Sequence, residues 1–369
     1  MSRWAWAEVS ADAIEHNVRA IIGHVRPSQL WAVVKADGYG HGAVTAARAA
    51  LAGGAGGLCV ALVQEGVELR QAGIDVPILV LSEQPADSVP DALQHQLQLT
   101  VYSANQLDVL AVAGAYHHPV HLKVDTGMRR VGAAQSETVA LADAIAASAA
   151  VELVGVFTHL AVADDPHDPF TEHQLDCFDD VLAALKAAGH HPHLVHAANS
   201  AGALSHPRAR YDLVRVGIAA YGISPGAGVD TIVAGLHLRP AMELKSRVSH
   251  VKRVVAGGRI SYGLRHTFAA DTTVATLPIG YADGVPRRLH AVGGTVLIGG
   301  APRRIVGVVT MDQLMVDCDD DPVEVGDEAV LLGTQGGATI TAADWAEALD
   351  TIAYEIVCGI SGRIERRHV

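Results

Sequence analysis

Through residue 217 the chain repeats one rhythm. A short, continuous run of apolar residues is followed by a longer stretch with helical spacing. The runs are LWAVVK (30–35), GLCVAL (57–62), PILVLS (77–82), LQLTVY (97–102), VHLKVD (120–125), LVGVFTH (153–159), HLVHAA (193–198) and DLVRVG (212–217). They do not alternate apolar with polar. Strands covered on both faces read this way, because neither side of the pleat meets water. Before and between them, ADAIEHNVRAIIGHV, QSETVALADAIAASAA and TEHQLDCFDDVLAALKAAG carry the spacing of amphipathic helices, the last with a glycine stop. Eight parallel strands separated by helices predict an α/β fold, a (β/α)8 barrel of the TIM type. The same alternation also fits a doubly wound sheet.

The rhythm breaks near residue 236. AMELKSRVSHVKRVV, TTVATLPIG, GTVLIGG, APRRIVGVVTMDQLMVDC and DEAVLLGT read as short strands between Gly, Pro and Asp turns, and only TAADWAEALD reads as helix. A second, mostly β domain is expected. The division expected is a barrel over 1–235 and a β-strand domain over 236–369.

Composition narrows the function. The chain has 369 residues, with 27 Lys and Arg against 40 Asp and Glu, a net charge of −13. That balance repels phosphate backbones and argues against a nucleic-acid partner. Half the residues are hydrophobic, but charges interrupt the alanine-rich stretches well short of the ~20 residues a membrane span needs. The N-terminal MSRWAWAEVSADAIEHN has no long apolar core followed by a cleavage site. Cys59, Cys177, Cys318 and Cys358 stand far apart with no CxxC pair, which fits a reduced, cytoplasmic chain better than a disulfide framework. No metal is expected: the histidine-rich GHHPHLVH (189–196) is a proline-interrupted loop that does not aim its rings at one point.

Barrel active sites sit at the C-terminal ends of the strands. The polar residues that interrupt the apolar runs gather there. Lys35 ends the first strand, Lys123 and Asp125 close the fifth, and His159 closes the sixth. Asn199 and Ser200 follow the seventh; Arg215 and Gly217 end the eighth. Singly, such a lysine snorkels to solvent and such a histidine satisfies a backbone group. Together they predict an anion-binding active site at one barrel mouth. An unperturbed lysine has a pKa of ~10.4; burial and neighbouring cations lower it and make the amine nucleophilic toward an aldehyde. Schiff-base chemistry with pyridoxal phosphate is the obvious use of such an amine, though not a unique one. Its phosphate needs donors, which Ser200, the backbone at Gly217-Ile218 and the Tyr39 hydroxyl can supply.

The segment AVVKADGYGHG (32–42) resembles the pyridoxal-phosphate attachment motif of the alanine racemases. The resemblance then runs through both predicted domains in family order: KVDTGMRRVG (123–132), FTHLAVAD (157–164), HAANSAG (196–202), RVGIAAYG (215–222), ISYGLRHT (260–267), LPIGYADG (277–284), TMDQLMVD (310–317) and AYEIVCGIS (353–361). It implies a homodimeric, pyridoxal 5'-phosphate-dependent isomerase that interconverts L- and D-alanine and supplies D-alanine for peptidoglycan.

The resemblance also implies roles. Lys35 would carry the cofactor and then act as base on one face of the substrate α-carbon. Tyr262, from the partner subunit, would be the base on the other face, which is what inversion needs. A phenol of pKa ~10 is a poor base at neutral pH, so it needs neighbours; His159 and Arg215 are that network in the family. Arg215 would donate to the cofactor's ring nitrogen. Arginine does not give up its proton, so that nitrogen stays unprotonated and the ring is a weaker electron sink. Arg130 matches the arginine that pairs with the substrate carboxylate, and Lys123 a lysine that is carbamylated in many members and braces it. Tyr39, Asn199, Ser200, Gly217, Ile218 and Tyr354 match cofactor and phosphate positions. Met311 would offer its backbone N–H to the substrate carboxylate, and Tyr281, Arg287 and Asp164 resemble the substrate corridor.

Three positions depart from the family pattern. Val308 stands where an arginine of that corridor is usual, Gly362 where a tyrosine is usual, and Arg129 where a small or amide residue is common. Three alternatives compete. A racemase of another small amino acid such as serine fits the same residues, since a small pocket rejects one hydroxyl poorly. A related decarboxylase of basic amino acids would place an acid at the ring nitrogen, against Arg215, and a reactive cysteine in the second domain, against Tyr262. A non-catalytic cofactor carrier would lack the second domain.

Overall fold

The computed structural model describes residues 3–369. Two compact units are present. One is Asp12–Arg239; the other joins the N-terminal residues up to Ala11 to Pro240–Val369.

The first strand, β1 (Ala5–Val9), belongs to the second unit. It pairs antiparallel with Met242–Arg247 and parallel with Glu365–His368. The sequence reading placed residues 1–235 in the barrel and did not single this strand out.

The barrel strands are β2 (Gln29–Val33), β3 (Gly57–Val60), β4 (Ile78–Val80), β5 (Gln98–Val101), β6 (His118–Lys123), β7 (Val151–Phe157), β8 (Leu194–His196) and β9 (Leu213–Val216). They coincide with the eight apolar runs. All are parallel, in the order β8-β7-β6-β5-β4-β3-β2-β9. The ring is closed between its ends by Asp212 N–H to Val195 O and Arg215 N–H to Ala198 O, both 3.0 Å. This is a TIM-type barrel rather than a doubly wound sheet. Helices cover it on the outside by their apolar stripes: in Ala11–Val25, the residues Ile14, Val18, Ile21 and Val25 are buried at helical spacing.

The second unit is built on a ten-stranded sheet whose strands include Thr272–Leu277, Ala301–Val306, Leu314–Asp317 and Glu328–Gln335. Ile260, Phe268, Val274, Val306 and Met315 form one of its apolar clusters. Besides the expected helix at Ala342–Leu349, a short helix spans Ala353–Cys358 and carries Tyr354. Among the described residues no helix is long and apolar enough to cross a membrane.

Candidate active site

The C-terminal ends of the barrel strands gather cations. β2 stops at Val33, and Lys35 opens a tight turn. In that turn Ala36, Asp37, Gly38 and Tyr39 have φ of 51°, 53°, 60° and 54°. This is one turn of left-handed helix, closed by Gly38 N–H to Val34 O at 2.9 Å and Gly40 N–H to Ala36 O at 3.0 Å. Only Gly38 adopts it freely; the other three pay a steric cost at Cβ. Its surroundings hold the turn. Ala36 N–H donates to Glu65 Oε1 at 2.7 Å, Asp37 Oδ1 accepts from Ala43 N–H at 2.8 Å, and His41 Nδ1 lies 2.9 Å from Tyr39 O. Strain that the surroundings over-determine clusters at functional sites, and here it begins at the residue after Lys35.

Lys123, at the end of β6, is buried; its Nζ donates to Leu81 O at 3.2 Å and sits 5.3 Å from the Phe157 ring centroid. Burial, then the positive charges of Arg215, Arg130 and Lys35, lower its pKa to about 8. A small cavity is lined by Lys123, Asp125, Met128, Arg130, Thr158 and His159. Its lining is mixed: Lys123 and Arg130 are cationic, whereas Asp125 is a carboxylate whose Oδ1 accepts from Gly127 N–H at 2.9 Å and Arg129 N–H at 3.0 Å.

Arg215 is also buried, and among the described residues no carboxylate pairs with it. Its acceptors are neutral: His196 Nδ1 at 2.6 Å, Thr158 O at 2.9 Å, Ala197 O at 3.0 Å and His159 Nδ1 at 3.3 Å. The guanidinium lies 5.1 Å from the Phe157 ring centroid. Burial lowers its pKa to about 10. Burial and the neighbouring cations also hold His159 well below the usual imidazole range. Because Arg215 donates to Nδ1, neutral His159 keeps its proton on Nε2.

A set of donors suited to a phosphate lies beside them. Ser200 is buried, and its Oγ accepts from Gly217 N–H at 2.9 Å and Ala219 N–H at 3.4 Å. Asn199 shapes the same bend, its Oδ1 accepting from Gly202 N–H at 2.9 Å. Ile218 is buried in the turn that follows Gly217. A side chain on Gly217 would displace Tyr39: a Cβ there would lie 2.4 Å from Tyr39 Oη. The missing Cβ lets the Tyr39 hydroxyl approach the Ser200–Gly217 bend. A lysine on a constrained turn, an arginine donor without a carboxylate, and this hydroxyl-and-amide cradle fit pyridoxal phosphate.

The other predicted residues, apart from Asp164 of the barrel unit, lie in the second unit. Tyr262 opens a turn between the two-residue strands Arg259–Ile260 and His266–Thr267 and is 73% exposed. It lines a cleft with Ser261, Gly263, Thr310, Gln313 and Met315. The departure at Val308 touches this turn: the Val308 side chain is buried, and its carbonyl accepts from Ser261 Oγ at 2.9 Å. Met311 is 52% exposed and Tyr281 is 41% exposed. Their segments are tied together by Tyr281 N–H to Thr310 O at 2.9 Å and Ala282 N–H to Met311 O at 3.0 Å. Arg287, Asp164 and Gly362 are exposed.

Sequence reasoning missed two groups. Asp283 is fully buried, receives Arg3 and accepts Gly280 N–H at 2.9 Å, so it anchors the turn that carries Tyr281. His121 and His196 stand behind Arg215. A signal existed for His121: it lies two residues before Lys123 on β6, hence on the same face of that strand.

Two family models match the chain: the alanine racemase N-terminal domain over residues 9–225 and the alanine racemase C-terminal domain over residues 241–368. An alanine racemase of Symbiobacterium thermophilum is 49% identical over 368 residues, covering 99% of this chain and 97% of the relative. One from Thermobifida fusca is 45% identical over 372 residues, covering 99% and 98%. Among solved structures, the alanine racemase of Streptomyces coelicolor A3(2) superposes with a TM-score of 0.92 at 39% identity, covering 99% of this chain and 98% of that one. The alanine racemase of Bacillus anthracis, solved with bound L-Ala-P, superposes with a TM-score of 0.93 at 37% identity, covering 100% and 96%. With both domain models matched and relatives this similar along its whole length, the chain belongs to the alanine racemase family, a family of isomerases.

Proposed function

We propose that the protein interconverts L- and D-alanine with pyridoxal 5'-phosphate, using Lys35 and Tyr262 as bases on opposite faces of the α-carbon. The observation that carries this reading is the barrel mouth, where Lys35 on its strained turn, Lys123, His159 and Arg215 lie next to the Ser200–Gly217 cradle. When bound, the cofactor supplies an electron sink that acidifies the substrate α-proton.

The chain's own residues do the rest. The Ser200 hydroxyl, the amides at Gly217 and Ile218 and the Tyr39 hydroxyl bind the phosphate, with Tyr354 and Asn199 as further contributors. Arg215 donates to the ring nitrogen and, as a permanent donor, keeps it unprotonated. Arg130 holds the substrate carboxylate. Lys123 acts on Arg130: carbon dioxide adds to its neutral amine, one proton leaves, and the product carboxylate pairs with the guanidinium. The lowered pKa supports this step, because it raises the neutral fraction near neutral pH.

Tyr262, Met311 and Tyr281 are supplied by a second copy of the chain, so the working form is a homodimer with composite sites. Their exposure on a single chain supports this. A cytoplasmic enzyme supplying D-alanine for peptidoglycan fits the reading; all four cysteines are free thiols. The bulky rings of Tyr262 and Tyr354 favour a small side chain, and the preference for alanine over serine rests on the relatives, which are alanine racemases.

Polarimetry on pure protein with added pyridoxal phosphate tests this. Rotation of L-alanine and of D-alanine should decay to zero from both sides, faster than that of L-serine. An inert alanine solution alongside rapid loss of serine rotation would move the substrate. Release of carbon dioxide from a basic amino acid would favour the decarboxylase.

A further inference from the structure

A line of polar side chains runs inward from Arg215 through the barrel. Arg215 Nη1 lies 2.6 Å from His196 Nδ1, His196 Nε2 lies 3.0 Å from His121 Nδ1, and His121 Nε2 lies 2.8 Å from Gln98 Oε1. Both histidines are fully buried. The line begins at the C-terminal mouth and ends at Gln98, the first residue of β5, near the opposite end of the strands.

The barrel makes room for it. A Cβ on Gly155 would lie 2.2 Å from His121 Nδ1, so β7 needs a glycine there. Phe157, two residues further along β7, stacks on His196 at 4.7 Å with 5° between the planes, and meets His121 edge-on at 6.4 Å. Trp31 of β2 meets His121 edge-on at 6.0 Å. Burial, and after it the charge of Arg215, lowers the pKa of His121 to about 3 and holds that of His196 well below the usual range. Both rings are neutral.

The direction of the line is fixed by its first member. An arginine has donors only. His196 must therefore accept at Nδ1, which leaves its proton on Nε2, donated to His121 Nδ1. His121 in turn keeps its proton on Nε2 and donates it to Gln98 Oε1. Reversing any link would set two donors face to face. In this sense the dipoles of both imidazoles turn their negative ends toward Arg215. They stabilise a buried cation without a carboxylate, so the guanidinium keeps its full positive charge toward the mouth.

We propose that His196, His121 and Gln98 form one polarised relay that positions Arg215, with His121 and Gln98 as positioning residues of the reaction. Its kinetic consequence rests on the racemase reading above; its structural content does not.

The full chain labelled with 15N-histidine tests it by imidazole NMR. His121 and His196 should both show a bare Nδ1 and a protonated Nε2, unchanged across about pH 6–9. A pair of equal-sized variants separates hydrogen bonding from packing. His121→Asn keeps an oxygen acceptor close to the Nδ1 position; His121→Leu does not. His121→Leu should remove the slowly exchanging His196 Nε2–H signal and lower kcat on the order of tenfold with little change in KM, as misplacement of a supporting group does. His121→Asn should keep the signal and recover most of the rate. A proton on Nδ1 of either ring, or equal signals and rates in the two variants, would overturn the proposal. The imidazole measurement needs neither substrate nor turnover. An inactive wild-type protein with the expected tautomers would sink the racemase reading and leave the relay standing. Should His121→Leu fail to fold, the wild-type tautomers still decide, and Gln98→Leu gives a second variant, expected to weaken the His121 Nε2–H signal.

Discussion

Ala36→Gly probes the left-handed turn on which Lys35 sits. Ala36 has φ 51° and ψ 53°, and it is exposed, so the substitution removes no buried contact. Its N–H to Glu65 hydrogen bond survives, because it uses only the backbone. An L-residue in this region costs roughly 1–2 kcal/mol. Glycine relieves that cost but gives back about 0.5–1 kcal/mol through the greater freedom of the unfolded chain. The balance predicts a variant more stable by about 0.5–1 kcal/mol. Urea unfolding should show a higher midpoint at unchanged slope. Activity should fall, because a glycine no longer restricts the turn to one direction, and strain at a functional site serves positioning rather than stability. A variant less stable than the parent would refute the reasoning, since it would mean that the turn is not strained at this residue.

Gly217→Ala should weaken binding of pyridoxal phosphate, because the new Cβ would lie 2.4 Å from Tyr39 Oη and drive that buried ring off the cradle; an unchanged dissociation constant from a fluorescence titration would contradict this. Lys123 makes a pH prediction. Its pKa is about 8 in the folded chain against 10.5 as the ordinary value. Unfolding therefore takes up a proton between these values, and in carbon-dioxide-free buffer stability should rise as pH climbs through that window. Lys123→Met should flatten the rise, and a wild-type slope kept in the variant would show the lysine is not its source. If Tyr262 serves the partner's site, specific activity should drop as the protein is diluted to monomers; sedimentation over the same concentrations that finds a fully active monomer would rule the composite site out.

The eight barrel strands were legible because both faces of each are covered, which leaves continuous apolar runs such as GLCV and ILV. β1 was not, because AWAEV is five residues long and gains its place from strands more than 230 residues away. The helix Ala353–Cys358 is too short to show a period. The run LWAVVK puts Lys35 at the end of its strand, but the strand stops at Val33 and Lys35 opens a left-handed turn that carried no signal. Of its four residues with positive φ only Gly38 is a residue that announces one. Ala36, Asp37 and Tyr39 are held there by Glu65 and by backbone bonds that sequence spacing does not reveal. The charged residues at the mouth could be found because each breaks an apolar run. His121 breaks one too, but a buried histidine reads equally as a satisfied core residue until its partner on another strand is known.

The measurement that tests the two-base account most directly is the fate of the α-proton. L-alanine is incubated with the holoenzyme in heavy water and sampled early, with the two enantiomers separated before mass and NMR analysis. If Lys35 and Tyr262 act on opposite faces, the proton removed by one base is not the one returned by the other. The first D-alanine formed should carry deuterium at the α-carbon. D-alanine that keeps the substrate's own proton would mean that one base serves both faces, and would contradict the account.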